Sequence, residues 1–374
     1  MTTALYDDGT HENVPTSAES SVLQKKWLIT EIIKPELPNL IDHVEKCLEL
    51  LSSEERFVMP LSNGSNIPNG TNSNISSPSS SSNSNSSSTN NTTNSSTSIK
   101  GTITRQSGYI VDFHAVVKLP DFNKGRPIML KMETGKKYPL VQIQSIISNL
   151  ARSLNLFDEL QQISESKTLE FDETQLFEKK IGKILELLTQ SITLLQNPPR
   201  ELIFPHNNNN FLKNNFGESY EAGESTHHLV NMELVLFKNE VCLDIRNLTK
   251  VVKRPWCEVD PNTGLSFADK VRDRLKQDRN GRILEILKEH GLQVDDASVL
   301  NNLLSSFSVT ERITLPQAND LLARCVTFDG RVVTECEKVS INTSDPTLIS
   351  VSAKLTGLEN KISNQYVNIQ NLNY

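Results

Sequence analysis

Four stretches of this chain carry apolar residues at alternating steps of three and four. Near the C-terminal end they are Leu348, Val351, Leu355, Leu358, Ile362, Ile369 and Leu372, with the polar Gln365 in the same register. The other three run through Leu37, Ile41, Val44, Leu48 and Leu51; through Leu140, Ile143, Ile147, Leu150, Leu154 and Phe157; and through Phe177, Ile181, Ile184, Leu188, Ile192 and Leu195. This spacing places one apolar stripe on each of four helices. Four such stripes bury one another in an antiparallel bundle, so the last helix is expected to pack on the other three within the chain. Asp345 is placed to cap that helix, and Pro346 suits its first position.

Between the helices the period falls to two. "GTITRQSGYIVDFHAVVKLP" (101–120) alternates around a Ser-Gly turn, and "PIMLKME" follows it. "HLVNMELVLFKNEVCLDIRNL" (228–248) reads as two strands about Lys238-Asn239, or as one strand running into a helix. "ARCVTFDGRVVTECEKVSI" holds Asp329-Gly330 between two alternating runs, a strong hairpin signal. The expected fold class is therefore α+β. Residues 20–54, 137–198 and 344–374 form a discontinuous helical bundle, and residues 55–61, 99–136, 199–252 and 311–343 a β-rich domain. Residues 253–310 fit neither set and are expected as a helical insertion. Within them "SFADKVRDRLKQDRNGRILEILKEHG" is expected as one helix, capped by Ser266 and stopped near Gly291.

Residues 62–98 contain 31 Ser, Asn or Thr among 37. Such a segment has too little apolar surface to offset its ordering entropy and is expected to be a disordered insertion. Its sequons at Asn69 and Asn91 are not expected to be glycosylated, because the N-terminal stretch has no signal-peptide layout. Residues 206–226 are expected as a second flexible loop.

Composition narrows the function classes. The 374 residues carry a formal charge of −7, which argues against nucleic acid as the main partner. No apolar run approaches the ~18–20 residues needed to cross a bilayer. The five cysteines lack any C-x-x-C pair and are expected to be reduced, with Cys47 and Cys242 in or near a core. Nucleotide-binding glycine loops, nucleophile elbows and zinc-protease motifs are all missing. The adjacent His227 and His228 would point to opposite faces of a strand, and His114 sits in an alternating strand, so neither is expected as a metal ligand or base. No catalytic, cofactor-binding or metal-binding residue is expected. A DNA-binding zipper needs a basic helix before the seam. Residues 320–345 instead hold Arg324, Arg331 and Lys338 against five acidic side chains.

Several ordered segments carry a family resemblance. "WLITEIIKPELPNLIDHVEKCLELLSSEERFVMPLSNG", "IKGTITRQSG", "VVKLP", "PLVQIQSIISNLARSLNLFDEL" and "LVNMELVLFKNEVCLDIRNL" occur in that order. They resemble the Rogdi family through Trp27, Leu28, Pro60, Lys100, Gly101, Lys118, Pro120, Gln142, Gln144, Leu229, Asn231, Cys242 and Leu243. The resemblance covers roughly half to two-thirds of the chain; residues 253–310 have no recognised counterpart, and Pro35 and Pro38 imply a kink or break after Ile33. Fungal members of the family are the small subunit of the RAVE complex, the regulator of the vacuolar and endosomal proton-ATPase. The resemblance implies a helical bundle joined to a β-rich part. It also implies a non-enzymatic role in rejoining the peripheral, ATP-hydrolysing sector to the membrane sector. The implied partners are that sector, a large β-propeller scaffold similar to rabconnectin, and a Skp-type adaptor. The implied location is cytoplasmic, with peripheral recruitment to vacuolar and endosomal membranes. The competing reading is a generic coiled-coil scaffold or tether, whose seams would face another chain.

Overall fold

The computed structural model describes residues 17–62, 97–166, 170–216, 228–277, 282–290, 292, 294–295 and 313–373. The fold is mixed α+β with two antiparallel sheets.

Helix α1 spans Ser17–Trp27 and leads without a break in helical dihedrals into a π-helical segment, Leu28–Ile33. A short 3-10 turn, Lys34–Glu36, then hands over to α2, Leu37–Ser52. The prolines at 35 and 38 are accommodated by these changes of helical pitch, since proline lacks the N–H that an α-helical interior requires. Helices α3 (Val141–Glu165) and α4 (Phe171–Gln196) follow one another closely. A reciprocal capping box between Glu170 and Glu173 starts α4. Helix α2 packs against α3, and α3 against α4; the C-terminal helix, Pro346–Gln370, packs against both α2 and α4.

The first sheet orders β1 (Arg56–Ser62), β2 (Ser98–Gln106), β3 (Tyr109–Lys118) and β4 (Ile128–Lys131), with the short β5 (Tyr138–Pro139) pairing β3. Ser107 has φ 52° and Gly108 follows it, so the Ser-Gly turn closes the β2–β3 hairpin. At Gly101 the two strands approach so closely that a Cβ would lie 2.0 Å from the His114 carbonyl oxygen. The Ser/Asn-rich stretch at 62–98 lies outside the described residues except at its ends, where Ser62 closes β1 and Ser98 opens β2.

The second sheet contains β6 (His228–Phe237) and β7 (Glu240–Lys250). They form a hairpin about Lys238-Asn239, both with positive φ. The strand-into-helix alternative for this stretch is thereby excluded. Helix α5, Asn210–Asn215, precedes the sheet and corrects the expected flexible loop at 206–226: its Phe211 and the Phe216 that follows its last residue stack edge-on against Phe113. Residues 217–227 lie outside the described residues.

The stretch expected as one helix after Ser266 is two, α6 (Phe267–Gln277) and α7 (Ile283–Glu289). Arg282 is extended, with φ −81° and ψ 132°, so α7 starts anew. Asn280-Gly281, two poor helix formers, separate them in sequence. The Ser266 hydroxyl does accept from the Asp269 N–H, capping α6. Short strands β8 (Val294–Asp295) and β9 (Ile313–Thr314) pair in parallel, and α8 spans Leu315–Arg324. Trp256, Val271, Leu287, Ile313, Cys325 and Val332 share a core of their own, so this region is not helical alone.

Strand β10 (Cys325–Phe328) turns through Asp329-Gly330, both with positive φ, into β11 (Arg331–Ser344). The second sheet is ordered β10-β11-β7-β6. Helix α9, Pro346–Gln370, follows directly, capped by the Asp345 carboxylate, which accepts from the Thr347 N–H at 2.8 Å. One apolar core runs through α2, α3, α4, α9 and the inner faces of both large sheets.

Candidate interaction surfaces

The apolar stripes lie inside this core. Leu348, Val351, Leu355, Leu358, Ile362 and Ile369 of α9 are all buried, as are Leu37, Val44, Leu140, Ile143, Leu150, Ile181, Ile184 and Leu188. Ile41, Leu48, Ile147 and Leu154 are half-buried and pack at its margin. The fully buried lines are displaced from the apolar ones. On α2 they pass through Leu40 and Cys47; on α3 through Ile146, Ser153, Leu160 and Ser164. Ser153 and Ser164 satisfy their hydroxyls on the helix's own carbonyls, of Asn149 and Gln161, which lets small polar residues sit in a core-facing row.

Between α2 and α9 the surface is grooved. Leu40 and Leu358 form its floor, Asn39 and His43 one wall, and Lys354 and Lys361 the other, around a volume of about 480 Å³. Gly357 keeps it open, since nothing lies within 4 Å of where its Cβ would be. Lys361 is held by the Glu36 carboxylate, whose pKa is lowered by that hydrogen bond and charge.

The first sheet presents an open face. Along β1 to β4, Ser62, Lys100, Val116 and Met129 form one cross-strand row, and Pro60, Thr102, His114 and Lys131 the next. Every one of these eight side chains is exposed, whereas the alternate positions, such as Ile99, Phe113, Ala115 and Leu130, are buried.

On the outer face of the second sheet a charge cluster centred on the buried Arg246 is covered at β6 and β7, while Lys338, Ser340 and Asn342 of β11 stay exposed. Arg246 contacts Glu233 at 3.0 Å, Asp244 at 2.7 Å and Glu335 at 3.1 Å, and its guanidinium lies over the Phe204 ring. Glu233 also accepts from the Phe204 N–H, so the cluster ties the 199–209 segment to the sheet. Three carboxylates around one guanidinium, with Asn231 as a fourth acceptor at 3.4 Å, satisfy its donors.

No group of three His, Cys, Asp or Glu among the described residues could hold a metal. His114 is exposed on the open sheet face, His228 bonds Asn247 at 3.1 Å, and His227 lies outside the described residues. All five cysteines are free thiols. Burial raises the pKa of Cys47, Cys242 and Cys325 to about 11, which keeps them protonated and unreactive. No described helix is long and apolar enough to cross a membrane.

The residues that carry the family resemblance divide between frame and surface. Gln142 is buried and bonds the backbone of Leu236, Gln144 donates to the Gly108 carbonyl, and Asn231 reaches Arg246. Trp27, 58% exposed, and Pro60 and Lys100 of the open sheet face lie outside. Sequence reasoning missed the buried amide and guanidinium network, since its partners are far apart in the chain. It also missed the sheet face, which a local count of basic residues would have indicated.

The family model of "Rogdi leucine zipper containing protein" matches residues 24–370. The chain belongs to the Rogdi family. The matched span encloses residues 253–310. A Saccharomyces cerevisiae relative, "Regulator of V-ATPase in vacuolar membrane protein 2", is 45% identical over 351 residues, which are 94% of this chain and 92% of the relative.

Proposed function

We propose that this protein is a non-catalytic subunit of an assembly factor that promotes association and reassociation of the peripheral and membrane sectors of the vacuolar proton-ATPase, and so supports vacuolar acidification. One observation carries the reading: the 45% identity across almost the whole length of a relative named as a regulator of that ATPase. On this reading the partners are a large rabconnectin-like β-propeller scaffold, a Skp-type adaptor and the peripheral sector itself. The protein works in the cytoplasm and is recruited peripherally to vacuolar and endosomal membranes.

We take α2, α3, α4 and α9 as one discontinuous bundle with heptad seams turned inward. It comprises residues 20–54, 137–198 and 344–374, set against a β-rich domain of 55–61, 99–136, 199–252 and 311–343 and an insertion at 253–310. Burial of Leu348 through Ile369 in the chain's own core supports this over a tether, which would leave that seam for another chain. Light scattering of the purified chain is expected to give the mass of a monomer.

The deciding experiment fractionates cells lacking the protein across a shift that triggers reassembly. ATP hydrolysis by the detached sector is expected to be unchanged, while the share of that sector on vacuolar membranes falls. Equal membrane association with and without the protein would overturn the assembly reading.

A further inference from the structure

The chain is acidic as a whole, yet residues 100–137 hold eight Lys or Arg against three Asp or Glu. Arg105 is buried against Asp345; the other seven basic side chains reach the surface. They are not scattered. Lys100 and Lys131 lie in neighbouring cross-strand rows of the open sheet face, Lys118 pairs Ser98 at its end, and Lys124 and Arg126 belong to the adjoining β3–β4 connection. Among the described residues none of these five forms an ion pair. Two exposed apolar side chains, Val116 at 37% and Met129 at 60%, pair directly with each other between Lys100 and Lys131. Among the described strand residues Asp112 is the acidic side chain on this face, and the exposed Asp121 and Glu133 lie at its margin, so the cations remain in excess.

We propose that this open face of the first sheet docks on an anionic lipid surface. Unpaired cations around an exposed Val-Met pair provide the two elements of interfacial binding, attraction to anionic headgroups and shallow insertion of apolar side chains. The composition favours a membrane over an acidic protein. Lysine is depleted from protein–protein interfaces, where Trp, Tyr and Arg dominate, whereas four of these five cations are lysines. The proposal goes beyond the assembly reading and does not depend on it, because its test uses the purified full chain alone.

Each basic side chain near an anionic surface strengthens binding by about fivefold. The chain is expected to sediment with phosphatidylserine-containing vesicles and not with pure phosphatidylcholine vesicles, and to be released at high salt, where the screening length falls to ~3 Å. The double variant Lys100→Glu/Lys131→Glu is expected to lose more than ~25-fold in binding with an unchanged Tm. Lys179→Glu/Lys276→Glu, on α4 and α6, is expected to bind as the parent does. Should the reversed variant not fold, Lys100→Gln/Lys131→Gln serves in its place. Absence of binding to the anionic vesicles, equal binding by parent and sheet variant, or capture by soluble polyglutamate but not by vesicles would each overturn the proposal, the last in favour of an acidic protein.

Discussion

Arg105 and Asp345, 240 positions apart, form an ion pair inside the protein, with side chains 4% and 0% exposed. Arg105 stands on the inner side of β2, and Asp345 is the link between β11 and α9. The same carboxylate caps α9 through the Thr347 N–H, and the same guanidinium bonds the Ser107 carbonyl at the β2–β3 turn. One contact therefore fixes the start of the last helix against the first sheet. Two buried charges gain little net stability together, but either alone is costly. Asp345→Ala is expected to destabilise by about 3–5 kcal/mol, well above the ~1 kcal/mol of an ordinary lost cap. Urea unfolding of the single variants and of Arg105→Met/Asp345→Ala checks this. The double variant is expected to lose less than the two singles added together.

Leu40 and Ile41 are neighbours on α2, but Leu40 is 1% exposed and Ile41 only half-buried. The apolar spacing alone selects Ile41. Leu40→Ala is expected to cost about 2–5 kcal/mol, as core truncations do, and Ile41→Ala clearly less. On α9, Leu355→Asp is expected to take a large share of a stability that is typically ~5–15 kcal/mol, because it also buries an unpaired charge. Equal losses at Leu40 and Ile41 in urea unfolding would contradict the packing of α2.

The difference between those two residues explains how far the sequence is legible. Apolar period locates a helix and roughly its inner face, and turn chemistry locates hairpins, as Asp329-Gly330 does. It does not locate the centre of the buried face to better than one position. On α3 the inward row includes Ser153 and Ser164, which a search for apolar residues passes over. Helix α5 was hidden in an Asn-rich stretch because its stability comes from Phe211 and Phe216 packing on Phe113, a contact with a distant strand. The open sheet face was legible as alternation and as a local excess of basic residues, but that Lys100 and Lys131 share one face emerges only when the register places them in neighbouring rows.

Two helical glycines give predictions of different sign. At Gly357 of α9 a Cβ would meet open space, so Gly357→Ala is expected to stabilise by about 0.5–1 kcal/mol through helix propensity. At Gly182 of α4 the Cβ would lie 3.0 Å from the Tyr366 ring, which packs over the glycine. There the propensity gain is offset by displacement of the ring, and the bulkier Gly182→Val is expected to destabilise. Thermal unfolding of Gly357→Ala, Gly182→Ala and Gly182→Val distinguishes the sites; a raised Tm for Gly182→Val would mean that α4 and α9 are not in close contact there.

Strand β6 is the edge of the second sheet, yet part of its outward backbone is engaged. Two buried side-chain amides stand in for a neighbouring strand. Asn209 accepts from the Met232 N–H and donates to the Val230 carbonyl at 2.7 Å. Gln142 accepts from the Leu236 N–H at 2.7 Å and donates to the Leu236 carbonyl at 2.9 Å, and it also reaches Leu194 at the end of α4. An open edge is a template for pairing with another chain, so these amides stabilise the sheet and also guard it. Gln142→Met keeps the side-chain length and removes both hydrogen-bonding groups. It is expected to cost about 1–3 kcal/mol for each backbone group left unsatisfied. The same variant is expected to scatter light at urea concentrations where the parent remains clear, because β6 becomes available to a second molecule. Asn209→Leu is expected to act in the same direction at the other end of the strand. A loss of stability without aggregation would assign the amides to holding α3 and α5 in place; aggregation at unchanged stability would assign them to protecting the edge. The geometry, with both groups of Leu236 engaged by one side chain, requires the two effects together.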